Sequence, residues 1–320
     1  MKQSLQWPCW HLYSPWQNQY FFVAITGSDT TLMDRCIYLR FFITATGWPF
    51  MSNPASPDLP LYELYAIRYA ARDAVRSEHF IGGDPHDGPM PMDYFVWLAK
   101  SDDHIVVIDT GFTAEMAIKR KRDFIQCPIQ TLADFGITAD AVDDVILTHL
   151  HYDHSGNFDR FTNAQFHLQE QELQFATGRY MRYPQLQHAF ELDDVCGIVR
   201  LNYAQRVTFY NGDDQLSSGL RLHRTGGHSA GLQFVSVHTK RGWVVLASDA
   251  SHYYEHMQDY RPFTIAFHIG EMMESFDRLK KVAPSADHII PGHDPKVMER
   301  YPAVAGKEGL MVRLDEMPKP

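Results

Sequence analysis

The sequence predicts a layered α/β sandwich, and three observations carry that prediction. Short stretches rich in apolar, β-branched and aromatic residues come in runs, with helical stretches standing between the runs. The composition is globular, with 45% apolar and 21% charged residues in a chain of 320. Three histidines and one aspartate fall within six residues directly after one short apolar stretch, where a strand hands over to a turn.

Taken in order, the chain opens on an atypical segment. Residues 1–50 carry 12 aromatic side chains and only five charged ones, Lys2, Asp29, Asp34, Arg35 and Arg40. No helical or alternating period persists there. Met51 then opens Ser52-Asn53-Pro54-Ala55-Ser56-Pro57, which reads as a loose N-terminus. Residues 1–58 are therefore an N-terminal extension, and residues 59–320 are the main domain. Two readings of the extension stay open. Translation starts at Met51 and the first 50 residues lie upstream, or the segment is an aromatic arm packing on the domain or on a second subunit. The arm reading implies a homodimer.

From residue 60 the pattern is orderly. Leu61–Tyr69, Tyr94–Ala99 and Ile105–Ile108 read as strands, the last two joined in a hairpin through Ser101-Asp102-Asp103. Ala114–Arg122 and Ile129–Phe135 are helical, Val145–Thr148 is a short strand, and Gln169–Thr177 is helical. Val207–Tyr210 and Leu220–His223 are strands, with Asn211-Gly212 marking a turn. Leu232–His238 and Trp243–Ser248 flank Lys240-Arg241-Gly242. An amphipathic helix over Ile269–Val282 precedes a last strand, His288–Pro291.

Charge and cysteine usage narrow the function classes. The formal net charge is −10 and the pI is near 5.9. There is no run of five or more like charges, so nucleic acid is not an expected partner. No apolar stretch approaches the roughly 18 residues a membrane helix needs; Cys36 to Phe50 is shorter and carries Arg40. Cys9, Cys36, Cys127 and Cys196 form no Cys-x-x-Cys pair and no disulfide framework, which suits free thiols in a cytoplasmic protein.

The chemistry concentrates in Thr148-His149-Leu150-His151-Tyr152-Asp153-His154-Ser155-Gly156-Asn157. Imidazole and carboxylate suit Zn²⁺, with iron, cobalt and manganese as competitors. His149 and His151 alternate with Leu150, so an extended backbone points both to one side. Asp153 and His154 swing round the turn and can serve a second metal. Further ligands are expected at later strand ends. His228 sits in Thr225-Gly226-Gly227-His228-Ser229-Ala230-Gly231, Asp249 directly follows a strand, and His293 lies in Pro291-Gly292-His293-Asp294. Together they predict a two-metal site, and such a site generates a hydroxide nucleophile at neutral pH and polarises a carbonyl or phosphoryl oxygen.

In order and type, His149-x-His151-x-Asp153-His154, His228, Asp249 and His293 resemble the metallo-β-lactamase superfamily. Val107-Ile108-Asp109-Thr110-Gly111 is similar to the strand-and-turn motif that precedes the ligands there. The resemblance spans roughly residues 60–300. It implies a four-layer αββα sandwich, with His149, His151 and His228 on one Zn²⁺ and Asp153, His154 and His293 on another. Asp249 would bridge them, and Asp109 would support a ligating histidine from behind.

Within the superfamily the chain most resembles the N-acyl-homoserine lactonases. The segment Gly83-Asp84-Pro85-His86-Asp87-Gly88-Pro89-Met90-Pro91-Met92 carries that resemblance. So do the intervals of 21 residues from His228 to Asp249 and 44 from Asp249 to His293. The implied substrate is a small-molecule lactone. The implied acyl pocket is Met90, Met92, Phe112 and Tyr152, with Asp153 passing a proton to the leaving alkoxide. One position departs from the family. Those lactonases usually place a tyrosine three residues after the bridging aspartate to hydrogen-bond the substrate carbonyl. Here His252 stands there, followed by Tyr253 and Tyr254. An imidazole can donate the same bond, and Tyr253 is the alternative donor. A glyoxalase II-like thioesterase, or a lactonase acting on a different lactone, is the competing reading.

Overall fold

The computed structural model describes residues 59–319. The readings of residues 1–58, including contact with a second subunit, lie outside the described residues.

Strands β1 (Glu63–Arg72), β2 (Met92–Lys100) and β3 (Ile105–Ile108) read as nearly unbroken apolar runs because both of their faces are covered. Leu64, Ala66, Phe95, Trp97, Val106 and Ile108 belong to one core. The alternate residues Tyr65, Ile67, Tyr69, Val96, Leu98 and Val107 belong to another. That period of two divides the molecule into layers.

The remaining strands are β4 (Asp123–Phe124), β5 (Asp144–Ile146), β6 (Gln165–Gln169), β7 (Val207–Tyr210), β8 (Asp214–Ser217), β9 (Leu220–Arg224), β10 (Gln233–Thr239), β11 (Gly242–Ser248), β12 (Ile289–Pro291) and β13 (Met311–Arg313). One sheet runs β13-β1-β2-β3-β5-β6-β7, with β4 added to β1; the other runs β12-β11-β10-β9-β8. The first core lies between the sheets and extends to helix Ile269–Val282. That helix lays Met272, Phe276 and Leu279 against it at a spacing of one helical face. The second core joins the outer face of the first sheet to residues of the helices Ala114–Arg120, Pro128–Asp134 and Leu192–Tyr203. The result is the αββα sandwich.

The first sheet is antiparallel through β1–β3 and parallel from β3 to β7, and β11 and β12 are also parallel. Parallel strands deliver the loops that follow them to one edge of the sheets. The hairpin between β2 and β3 closes with Ser101 N–H donating to the His104 carbonyl at 2.9 Å. The Asn211-Gly212 turn falls between β7 and β8, which belong to different sheets, so it carries the chain from one sheet to the other. Gly212 adopts the positive φ of 113° that this change of direction needs.

Several elements were hidden in the sequence. Leu192–Tyr203 is helical although Gly197 interrupts its pattern. That glycine is there because a Cβ would sit 1.9 Å from the Phe158 ring. The edge strand β8 is polar, and β6 begins and ends on glutamines whose side chains donate to Thr208 of β7 and Gln233 of β10. Cys127 and Cys196 are free thiols, and no described helix is long and apolar enough to cross a membrane.

Candidate metal centre

Each candidate ligand sits on a loop at the same edge of the sandwich. His149 and His151 follow β5, and Asp153 and His154 open the short helix Tyr152–Ser155. His228 lies in the turn between β9 and β10. Asp249 follows β11, and His293 follows β12. Glycines let these loops close on one another. A Cβ at Gly227, where φ is 91°, would lie 2.5 Å from the Met272 backbone nitrogen. A Cβ at Gly292 would lie 2.6 Å from the Ser248 carbonyl. Asp109 and Ser248 hold positive φ of 61° and 46°, backbone strain of the kind found where a site over-determines its geometry.

All seven residues converge and are buried. His149 Nε2 lies 3.0 Å from His151 Nδ1 and 3.2 Å from His228 Nε2. Asp249 turns one oxygen to each side. Its Oδ2 is 3.0 Å from His228 Nε2 and 3.7 Å from His149 Nε2. Its Oδ1 is 3.0 Å from His293 Nε2 and 3.4 Å from His154 Nε2. Asp153 Oδ2 completes the second group, 3.6 Å from His154 Nε2 and 3.7 Å from His293 Nε2.

These residues fit metal ions. His154 Nε2, His293 Nε2 and Asp249 Oδ1 are buried, and no hydrogen bond reaches any of them. Burying such atoms unpaired is costly, and three of them point at one another. The opposite ring nitrogens are anchored. His154 Nδ1 is 2.7 Å from Asp109 Oδ2, His228 Nδ1 is 2.7 Å from the Ile265 carbonyl, and His293 Nδ1 is 2.8 Å from the Asp93 carbonyl. An anchored Nδ1–H leaves Nε2 as a free lone pair. Burial, reinforced by neighbouring imidazoles, pushes His149 and His151 well below the usual histidine range, so both are neutral. Burial alone would raise Asp249, but His293, His252, His154 and His228 outweigh it and keep the carboxylate ionised. Around His154 and His293 the carboxylates outweigh burial and push both rings up; a metal binds the neutral imidazole and the ionised carboxylate, so it would displace the proton from these two rings.

Asp109 sits behind His154. Besides His154 it accepts from the Thr148 backbone N–H at 2.7 Å and the Thr148 hydroxyl at 2.8 Å. Glu172 is a supporting residue that the sequence reading missed. Fully buried, it accepts from the Leu150 N–H, the Ser229 hydroxyl and the Gly231 N–H at 2.8–3.0 Å. It ties the His149–His151 loop to the His228 turn. No local signal marks it, because its partners lie far away in sequence.

A cleft opens over the ligands. Met92, Tyr152, Asp153 and His252 line it. Phe112 does not; it is fully buried and stacks behind Tyr152 at 5.6 Å. Met90 lines a separate cavity together with Tyr253. The Tyr253 hydroxyl turns away from the ligands, 3.1 Å from His79 Nε2 and 3.1 Å from the Pro91 carbonyl, because its backbone starts a new helix just past the Asp249 loop. Tyr94 and Arg122, which the sequence did not single out, also line the cleft. Tyr94 packs edge-on to His293 at 5.2 Å, and Arg122 Nε donates to the Tyr152 hydroxyl at 3.0 Å.

Comparison with known proteins agrees with this geometry. A family model described as the metallo-beta-lactamase superfamily matches residues 90–293. The N-acyl homoserine lactonase AiiA of Bacillus thuringiensis subsp. kurstaki is 32% identical over 168 residues, covering 52% of this chain and 61% of that protein. An N-acyl homoserine lactonase of Bacillus cereus is 33% identical over 152 residues, covering 47% of this chain and 55% of that one. The matched region thus spans less than two thirds of these relatives. The crystal structure of a quorum-quenching N-acyl homoserine lactone lactonase superposes with a TM-score of 0.63 at 25% identity, covering 75% of this chain and 95% of that one.

Proposed function

The chain belongs to the metallo-β-lactamase superfamily, and from that premise we propose that it opens the ring of N-acyl homoserine lactones at a centre of two metal ions. The observation that carries this reading is Asp249, with one oxygen turned to the His149, His151 and His228 nitrogens and the other to His154 and His293. Zinc suits these donors, as do iron, cobalt and manganese. Metal held there supplies a Lewis acid for the carbonyl and a water-derived nucleophile at neutral pH.

The chain's own residues account for the rest. Asp153 lies on the cleft wall, where its carboxylate takes up the proton and delivers it to the departing alkoxide. His252 lines the same wall and is positioned to stabilise the oxyanion. Next to the cleft, and sharing His151, His188 and His228 with it, a groove of mixed polarity has an apolar part made by Phe175, Leu186, Phe190, Ile265 and Phe267. That part suits an acyl chain and keeps water from it.

One feature favours a thioesterase instead. Arg72, Arg120 and Arg122 all line the cleft, and an anionic thiol carrier needs such cations. Arg72 is paired with Glu78 and Arg120 with Glu191, which leaves Arg122 without a carboxylate within ion-pair distance among the described residues. The deciding experiment offers the zinc-loaded protein N-hexanoyl homoserine lactone and S-lactoylglutathione in parallel and follows acid release. Fast lactone opening with little thioester cleavage is expected. The reverse result would overturn the lactonase reading.

A further inference from the structure

Position 252 departs from the lactonase pattern, and its geometry gives the departure a purpose. The His252 ring is 4% exposed. It is stacked on Phe263 at 3.8 Å and flanked edge-on by His293 and His228. Its direction is therefore set by packing. Nε2 points at Asp249, 3.0 Å from Oδ2. A tyrosine hydroxyl at this position would reach past the carboxylate into the cleft. The shorter imidazole stops at it. Asp249, His252 and His293 each offer a donor atom, all within 4.8 Å of one another, the same closeness found in the two ligand groups already described.

We propose that His252 Nε2 is itself a metal ligand, an eighth donor residue of the centre, grouped with Asp249 and His293 and meeting the carboxylate at Oδ2, between the two sets of ligands. Asp249 lends one oxygen to each set of ligands, so each set already offers four protein donors, and His252 would give one of the two ions a fifth. Zinc prefers four, whereas iron, cobalt and manganese accept more. The chain is thereby biased toward the metals of higher coordination number. Only Nδ1 of His252 then remains for the substrate. The inference rests on the metal centre and not on the lactone.

The test titrates apo-protein with Co²⁺ without any substrate, for wild type, His252→Phe and His252→Gln. It reads the visible ligand-field absorption and the affinity by competition with a chelator. Loss of a ligand lowers the coordination number, so the cobalt absorption should intensify and shift in both variants. Affinity for one of the two ions should fall at least about tenfold. An unchanged cobalt spectrum and affinity in both variants would overturn the proposal. So would a change in His252→Phe that His252→Gln restores, because glutamine keeps a hydrogen-bond donor and points to donation onto Asp249 instead. Circular dichroism of both variants reports folding. No arm contains a lactone, so failure of the lactonase reading would leave the result intact.

Discussion

The first sheet carries two clusters of histidine and aspartate, a buried one past the carboxyl ends of its parallel strands and a half-buried one near their starts. At the start of β5, Asp144 accepts from His104 Nε2 at 2.7 Å and from His167 Nε2 at 2.6 Å. The other nitrogens of those rings meet the hydroxyls of Tyr62 at 2.8 Å and Tyr210 at 2.9 Å. Every ring nitrogen is satisfied. Past the end of β5, the outer nitrogens of His154 and His293 are satisfied while their inner ones converge unpaired on Asp249. Composition does not separate a structural cluster from a metal centre; convergence of unsatisfied atoms does. Isolated orphans are not enough. His256 is fully buried with neither nitrogen hydrogen-bonded, yet it faces the rings of Phe80 and Phe263, and burial pushes it down to about 3.

The comparison breaks most visibly if equivalent substitutions behave alike. Asp109→Asn leaves His154 without its anchoring carboxylate. Metal affinity should drop by about 10- to 100-fold, and hydrolysis should fall at limiting metal and recover in excess. Asp144→Asn should leave metal content within about twofold but cost roughly 2 kcal/mol of stability, since it disrupts a charge-assisted pair in a half-buried setting. Metal analysis after dialysis and urea unfolding of both variants measure the contrast. Metal loss in Asp144→Asn would mean that the two clusters are coupled.

A smaller effect is the pH dependence of that second cluster. The bond to Asp144 raises His104 above the ordinary histidine value. A raised histidine contributes its full stability below its unfolded value and loses it as pH climbs through the folded one. Burial works to raise Asp144, but the bonds from His104 and His167 prevail and hold it well below the usual range. Its contribution is therefore present above about pH 4 and is lost only in strong acid. The stability gap between wild type and Asp144→Asn should be widest near pH 5 and narrow toward pH 8. Thermal melts of the metal-loaded proteins at the two pH values measure it. A gap that widens with pH would contradict the ion-pair account.

The same contrast explains what was legible beforehand. His149, His151, Asp153 and His154 crowd one strand end, and a glycine-bounded His228, a strand-terminal Asp249 and His293 recur at later strand ends, so local spacing is enough to find them. The sandwich was legible because β1, β2, β10 and β11 are long and apolar. The cleft was not. Tyr94 comes from β2, Arg122 from just before β4 and Phe263 from a loop, and only the folded sheets bring them to His293 and His252. Glu172 was invisible because its three partners lie on two loops that fold onto it from elsewhere in the chain. Tyr253 stood beside the ligands in sequence, but one residue of helical turn directed it elsewhere.

Tyr253 is therefore the finest test of the criterion. Its hydroxyl is already satisfied by His79 and the Pro91 carbonyl, and the ring is buried in a wall that the cleft does not reach. A hydroxyl engaged in this way stabilises the fold and has no free donor for a substrate. Tyr253→Phe removes the bond and leaves the ring, so the expected cost is about 1 kcal/mol of stability. The lactone kcat/KM should stay within about twofold, because Tyr253 does not itself line the cleft and its neighbour His79, which does, keeps its bond to the Met90 carbonyl. A tenfold fall in kcat with unchanged KM and metal content would correspond to about 1.4 kcal/mol of lost transition-state stabilisation. That would require the hydroxyl to leave His79 during turnover, and satisfied atoms would then no longer mark a residue as structural.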